Sequence, residues 1–200
     1  MFREHGYEAA TMRAIAHEAG VSVGNAYYYF PSKQHLVQAY HERSKELHER
    51  AARAVLETEK DFERRLAGVL RARLDTMQPE KEFATAFFRY AADPGSPLSP
   101  FSPESSAARA ASTALYAEAL GGSSMKVAPE LRDELPELLW LYQMGVVLFW
   151  VHDRSLRGRR TYLLADRTVP IVVRLISLAR YRVLRGVVNE VLALIHDLRA

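Results

Sequence analysis

Two adjoining runs decide how this chain is read: Gly6-Tyr7-Glu8-Ala9-Ala10-Thr11-Met12-Arg13-Ala14-Ile15-Ala16 and Ala19-Gly20-Val21-Ser22-Val23-Gly24-Asn25-Ala26-Tyr27-Tyr28-Tyr29-Phe30-Pro31-Ser32-Lys33. Thr11 can cap a helix running to Glu18, because its hydroxyl accepts from an amide that the first helical turn leaves orphaned. Ala19-Gly20-Val21 predicts a tight turn, with Gly20 in the left-handed conformation that closes a helix. Ser22 caps a second short helix, and Phe30-Pro31 ends it, since a residue before proline is disfavoured in the helical region. Two short helices joined by a glycine-containing turn, the second opened by serine, form a helix-turn-helix pattern. In that geometry the second helix enters the major groove with its N-terminal residues at base edges, while the first crosses the backbone.

Val23, Gly24 and Asn25 open the second helix, and small residues there allow close approach to bases. Tyr27, Tyr28 and Tyr29 follow; successive helical residues stand about 100° apart, so the three cannot all face one core. A phenol left outside is a good donor to a phosphate oxygen. Lys33, one residue into the third helix, adds a cation beside N-terminal amides that suit another phosphate. Charge alone would not single out this segment: residues 1–45 hold five Lys/Arg against four Asp/Glu, and the whole chain carries a formal net charge of +3.

With this motif as anchor, the run Phe2 to Tyr40 resembles the N-terminal domain of the TetR family of transcriptional regulators, its G-Y-x-x-x-T-M-R-x-I-A and A-G-V-S-x-G-x-x-Y-Y-Y-F-P-S-K-x-x-L stretches matching the family pattern at most of its marked positions without a gap. The resemblance implies that Thr11, Tyr27, Tyr29 and Lys33 grip phosphates. It places Arg13 where a base or the backbone is contacted, and Ser22, Val23, Gly24 and Asn25 at recognition-helix positions, with Tyr28 contributing. Ile15, Ala16, Val21, Ala26 and Phe30 match the motif's small core. The family has a full helix before the Gly-Tyr turn, of which Phe2 to His5 are present here; the expectation is that about ten or more upstream residues belong to the natural protein.

Beyond the motif the chain reads as all-α, with residues 1–45 a helix-turn-helix DNA-binding domain and 46–200 a helical regulatory and dimerisation domain. Ser32 caps a long helix with apolar Leu36, Tyr40, Leu47, Ala51 and Val55 at helical spacing. Phe62, Leu66, Val69, Leu70, Leu74 and Met77 mark the next, and Phe83, Phe87 and Phe88 a shorter one. Asp93 to Pro103 is loop chemistry. An alanine-rich helix runs to Leu120, a long helix from Pro129 through Trp150, and a last one from Arg160 toward the C-terminus, kinked at Pro170 and divided at Gly186. No internal repeat stands out.

Leu138 to Val151 is apolar at twelve of fourteen positions, so that helix needs cover on several sides. The last helix, with Val169, Ile171, Val172, Val173, Leu175, Ile176 and Leu178, also carries more apolar surface than one contact hides. The resemblance implies that the last two long helices pair with those of a second copy. A homodimer presents two recognition helices to a pseudo-palindromic operator with half-sites ~34 Å apart or a multiple of it. Met77, Phe87, Phe88, Tyr90, Trp140, Tyr142, Met144, Phe149 and Trp150 are the candidate lining of a site for a small hydrophobic or aromatic effector. The implied function is a DNA-binding repressor that the effector releases.

The chain contains no cysteine, which excludes disulfides, thiolate zinc sites and cysteine nucleophiles. No cofactor or metal is called for: His41 and His48 repeat seven residues apart, whereas helical metal ligands need spacings of three or four, and a solvated face is the expectation for both. His152, Asp153 and Ser155 lie too close along one helix end for a hydrolytic triad. The longest apolar stretch is broken by Gln143 and Gly145 and is shorter than the ~20 residues a membrane span needs; the expectation is a cytoplasmic, non-enzymatic protein. The competing reading is a helical small-molecule-binding or enzymatic protein whose N-terminal motif is structural only.

Overall fold

The computed structural model describes residues 10–93, 95–96 and 98–197, the side chains of residues 86, 89, 90, 182, 185, 195 and 196 excepted. These residues form α-helices and short 3₁₀ turns, with no strand among them. In chain order the helices are α1 (Met12–Glu18), α2 (Val23–Tyr29), α3 (Lys33–Thr58), α4 (Phe62–Met77), α5 (Lys81–Ala91), α6 (Ser106–Gly121), α7 (Pro129–Arg132), α8 (Leu135–His152), α9 (Arg159–Ala179) and α10 (Arg185–Asp197). The chain divides into two compact units. One comprises residues up to His48 together with Asp75–Arg109; the other comprises Glu49–Leu74 and the residues from Ala110 onward.

In the first unit, α3 and α5 meet through aromatic edges. The Tyr40 and Phe83 rings lie 4.5 Å apart between centroids, as do His41 and Phe87. The buried side of α3 is one residue out of step with the stripe read from its apolar residues. Val37, His48, Ala52 and Leu56 are buried, while Leu47 is exposed. His48 is a core residue and His41 is half-buried, which corrects the solvated face expected for them. Among the described residues no cluster of ligands suited to a metal ion forms.

The loop after α5 corrects the reading that the chain lacks an internal repeat. Asp93, Ser96, Ser99 and Ser102 recur every three residues, each followed in sequence by proline. Each of their carbonyls accepts from the amide three residues on, so four turns follow one another from Asp93 to Ser105. The side chains of Asp93, Ser96 and Ser99 accept from the amides of Gly95, Leu98 and Phe101. Proline cannot supply helical amides, and side-chain acceptors close each turn in their place.

In the second unit, α4 buries Phe62, Leu66, Val69, Leu70 and Leu74, as its 3.6-residue pattern predicts. The first four pack with Ala52 and Leu56 of α3, Leu115, Tyr116 and Ala119 of α6, Leu135, Leu139 and Trp140 of α8, and Val169 and Ile176 of α9. The helix expected from Pro129 through Trp150 is broken. Pro129–Arg132 makes one turn, and α8 begins at Leu135 with Pro136 in its first turn. Pro136 has no N–H, and its ring would clash with the carbonyl of Arg132, so it starts a helix where it cannot continue one. The last helix runs without interruption through Pro170, and the break falls at Arg180–Leu184, ahead of Gly186.

Buried polar groups join the helix ends of this unit. The Arg65 guanidinium donates to the carbonyls of Leu56 (2.7 Å), Glu59 (2.5 Å), Glu118 (2.7 Å) and Ala119 (2.8 Å). It thereby caps the C-termini of α3 and α6 together, where carbonyls have no helical partner. Between α8 and α9, Asp153 accepts from the Ser155 amide and from both the amide and hydroxyl of Thr161. Burial pushes the Asp153 carboxyl up, but the bonds from Ser155 and Thr161 outweigh it and hold the group well below the usual carboxylate range. Arg157 and Gly158 turn the chain there with φ of 52° and 69°.

Candidate nucleic-acid interface

The two short helices are held by local chemistry at every end. The Thr11 hydroxyl accepts from the Ala14 amide at 3.2 Å, and the Ser22 hydroxyl from the Asn25 amide at 3.1 Å. Each thus satisfies an amide of the first turn. At the end of α1, Gly20 takes φ 67°; its amide donates to His17 O and that of Val21 to Ala16 O. This is the paired-bond cap that a left-handed glycine makes possible. Ala16 is fully buried, Ile15, Ala26 and Phe30 are half-buried, and Val21 is exposed. Of the five motif-core residues only Val21 therefore lies outside the core; it sits in the turn, where its amide rather than its side chain is engaged.

α2 buries none of its seven residues. Val23 and Ala26 give the helix a half-buried side. Gly24, Asn25, Tyr27, Tyr28 and Tyr29 are exposed, the tyrosines at 50%, 80% and 66%. A seven-residue helix is not stable alone, so its caps and its Val23–Ala26 side keep it formed while the rest stays outside. A Cβ at Gly24 would meet nothing within 4 Å, so the helix is thinnest at the position expected to face bases. Tyr28 and Tyr29 brace each other edge to face at 5.1 Å.

α3 begins beside this helix in sequence. The Ser32 hydroxyl accepts from the His35 amide at 3.4 Å and lies 2.7 Å from His35 Nδ1. Lys33 opens the helix, half-buried, and Thr11 and Arg13 are exposed. Every residue expected to touch DNA (Thr11, Arg13, Ser22, Val23, Gly24, Asn25, Tyr27, Tyr28, Tyr29 and Lys33) thus lies on or beside α1, α2 and the start of α3, Thr11 and Ser22 with capping duties as well.

The residues expected to line an effector site fall in both units. In the first unit Met77 is buried, Phe88 is half-buried and Phe87 packs on His41; the Tyr90 side chain lies outside the described residues. In the second, all five come from α8. Trp140 and Trp150 are buried and Met144 packs against the core, whereas Phe149 is exposed on another face. The Tyr142 hydroxyl, half-buried, donates to Thr168 Oγ1, which donates in turn to Leu164 O.

Sequence reasoning missed the polar pair in the middle of this core. The Tyr116 hydroxyl donates to Gln143 Oε1 at 2.8 Å, both residues buried. Burial pushes the Tyr116 phenol well above its usual range, so it stays a neutral donor. In the sequence Gln143 stands out only as an interruption of an apolar run. The His152–Asp153–Ser155 group is accounted for structurally: His152 Nδ1 lies 2.9 Å from Leu148 O, and the Asp153 carboxylate is taken up by Ser155 and Thr161.

Residues 65–194 match the family model described as "Tetracyclin repressor-like, C-terminal domain", and residues 1–40 match that described as "Bacterial regulatory proteins, tetR family". A 32-residue segment is 62% identical to the HTH-type transcriptional repressors KstR of Mycolicibacterium smegmatis and of Rhodococcus jostii. That segment covers 16% of this chain and 16% and 15% of those repressors, so the likeness concerns a small part of each. The crystal structure of the TetR family transcriptional regulator PfmR from Thermus thermophilus superposes with a TM-score of 0.56 at 16% identity, over 84% of this chain and 91% of that one. The resemblance to PfmR is one of fold.

Proposed function

We propose a function from one premise: this chain belongs to the TetR family of transcriptional regulators and is a DNA-binding member of it. On that footing it is a repressor that works as a homodimer on a palindromic operator, reads bases through the N-terminal half of α2, and is released by a small hydrophobic effector. The observation that carries the reading is α2, a capped helix that buries none of its residues. A helix with only a structural role would bury its aromatic residues. Here the three tyrosines are outside, next to an exposed Asn25 and a Gly24 that leaves the backbone accessible.

Phosphate contacts set register and affinity while base contacts carry sequence information. Tyr27, Tyr29, Thr11 and Lys33 take the first role; Val23, Gly24 and Asn25 take the second. Dimerisation is favoured by the outer faces of α8 and α9. Leu141, Leu148 and Phe149 on one, and Leu163, Ile171, Leu175 and Leu178 on the other, are large apolar side chains left exposed. Among the described residues no helix is long and apolar enough to cross a membrane.

Fluorescence anisotropy with the DNA flanking the gene tests the proposal. The expected result is sequence-specific binding whose affinity falls steeply with salt. Lys33→Ala should weaken binding evenly across sequences and reduce the salt slope by about one, while Asn25→Ala should relax discrimination by ~1–3 kcal/mol at one base pair. Unchanged affinity after joint replacement of Asn25, Tyr27 and Lys33 would leave the motif with only a structural role.

A further inference from the structure

The outer face of α8 contains a feature that its own unit does not use. Gly145 lies near the middle of this 18-residue helix and is exposed. A Cβ built on it would meet nothing within 4 Å. Glycine is less favourable than alanine in a helix interior, both through backbone entropy and through exposed peptide groups. Among the described residues, therefore, nothing explains why alanine is absent.

The neighbours of Gly145 supply a reason. Leu141, Gly145, Leu148 and His152 are spaced four, three and four apart, a seam with the 3.5-residue period at which two helices pack nearly parallel or antiparallel. Leu141, Leu148 and the adjoining Phe149 are exposed, while Leu139, Trp140, Gln143, Val146, Val147 and Trp150 face the core. No charged residue occurs from Leu138 to Val151, which suits neither nucleic acid nor a polar protein surface. The seam continues onto the neighbouring helix α9, whose Leu163, Ile171, Leu175 and Leu178 are exposed as well.

We propose that, in the homodimer, the two α8 helices cross in closest approach at Gly145. The inference rests on the homodimer reading above and adds its point of contact. The occupant follows from shape: a notch at Gly145 flanked by Leu141 on one side and Leu148 on the other is self-complementary. A two-fold axis beside Gly145 sets the two glycines face to face, and each copy's leucines lie along the partner's backbone. Small residues at a crossing let helix backbones come closer than the 8–10 Å that ordinary side chains impose. Gly145 thus sets the separation of the two subunits.

The chain has no cysteine, so Gly145→Cys introduces a single thiol. At a close crossing the two copies' Cβ atoms fall within the ~3.5–4.5 Å that a disulfide requires. Mild oxidation of dilute protein should then give a covalent dimer at least ~10-fold faster than Gly121→Cys, an exposed position with equally open surroundings at the end of α6. Gly145→Leu should raise the dimer dissociation constant at least ~100-fold in sedimentation equilibrium, since overpacking acts in both copies, with helix content by circular dichroism unchanged. Leu175→Glu, which buries an unpaired carboxylate twice per dimer, tests the underlying reading. If Leu175→Glu is monomeric while the Gly145 variants cross-link no faster than Gly121→Cys and dimerise as tightly as the natural chain, the crossing is wrong and the dimer face stands. If Leu175→Glu remains as dimeric as the natural chain, the dimer face is wrong and the crossing falls with it.

Discussion

Replacing Arg65 tests whether one buried guanidinium holds two helix ends together. Arg65 is 3% exposed and donates to four backbone carbonyls at 2.5–2.8 Å. A buried ion pair can often be exchanged for apolar residues at little loss. That escape is closed here, because the partners are main-chain oxygens at the C-terminal ends of α3 and α6, which no substitution removes. In Arg65→Met the Leu56 and Ala119 carbonyls stay buried without their donor, at ~1–3 kcal/mol each. Those of Glu59 and Glu118, partly buried, can recover water. The sum is ~4 kcal/mol, a large share of the ~5–15 kcal/mol that stabilises a domain. With a urea slope of ~2 kcal/mol/M the unfolding midpoint should fall by ~2 M at fixed protein concentration. Arg65→Lys keeps the charge but not the planar fork and should lose about half as much. Gly122 supplies an internal control, because a Cβ there would run into the guanidinium. Gly122→Ala should therefore cost ~1–3 kcal/mol in the natural chain and almost nothing beside Arg65→Met. A stability for Arg65→Met within ~1 kcal/mol of the natural protein, or the same cost for Gly122→Ala in both backgrounds, would refute the reasoning.

Other consequences are as direct. Asp153→Asn should destabilise the protein by ~2–4 kcal/mol at neutral pH, because an amide cannot accept from both Ser155 and Thr161 as the carboxylate does. Since the folded carboxyl titrates below its unfolded value of ~3.9, its contribution is complete above that pH and is lost as pH falls toward the folded value; the gap between natural protein and Asp153→Asn in thermal melts should narrow only below about pH 4. Gly68→Ala should cost ~1–3 kcal/mol, because the added methyl would overlap Val55 across the α3–α4 contact, and Val55→Ala beside it should restore part of the loss. Gly24→Ala should leave the unfolding midpoint unchanged or raised, since its Cβ has open space, yet weaken operator binding; equal affinity would show that no base approaches the helix there.

What could be read from the sequence was chemistry whose partners lie within a few residues. Thr11, Ser22 and Gly20 act within four residues along the chain, and their helix ends fall where predicted. The α4 stripe was legible because its members are large and apolar. The α3 stripe is displaced by one residue because its buried side passes through His41, Ser44 and His48, polar side chains that a hydropathy pattern assigns to solvent. Arg65 was hidden for the same reason: its acceptors on α6 lie 53 and 54 residues away, and nothing local marks an arginine as a cap for distant helices. Pro136 was legible in principle as a helix start, but the hydrophobicity around it masked the break. On the DNA-reading side, helical geometry requires only that the three consecutive tyrosines not share one core, and all three are at least half exposed.

The glycines separate two kinds of unused side chain. At Gly68 and Gly122 the missing Cβ is used inside the chain, by Val55 and by Arg65. Gly121 has open surroundings but lies at the C-terminal end of α6, where glycine has a local reason to occur. Gly24 and Gly145 share the open surroundings and sit within helices whose neighbouring side chains are exposed. For these two the close approach that glycine permits has no recipient among the described residues, in keeping with the external partners proposed above. Beside Gly24 the neighbours are Asn25 and hydroxyl-bearing tyrosines, suited to a polar, anionic duplex. Beside Gly145 they are leucine and phenylalanine without a charge, suited to another apolar helix. The same residue type thus marks both proposed surfaces, and the side chains around it set the one proposed for DNA apart from the one proposed for a second subunit.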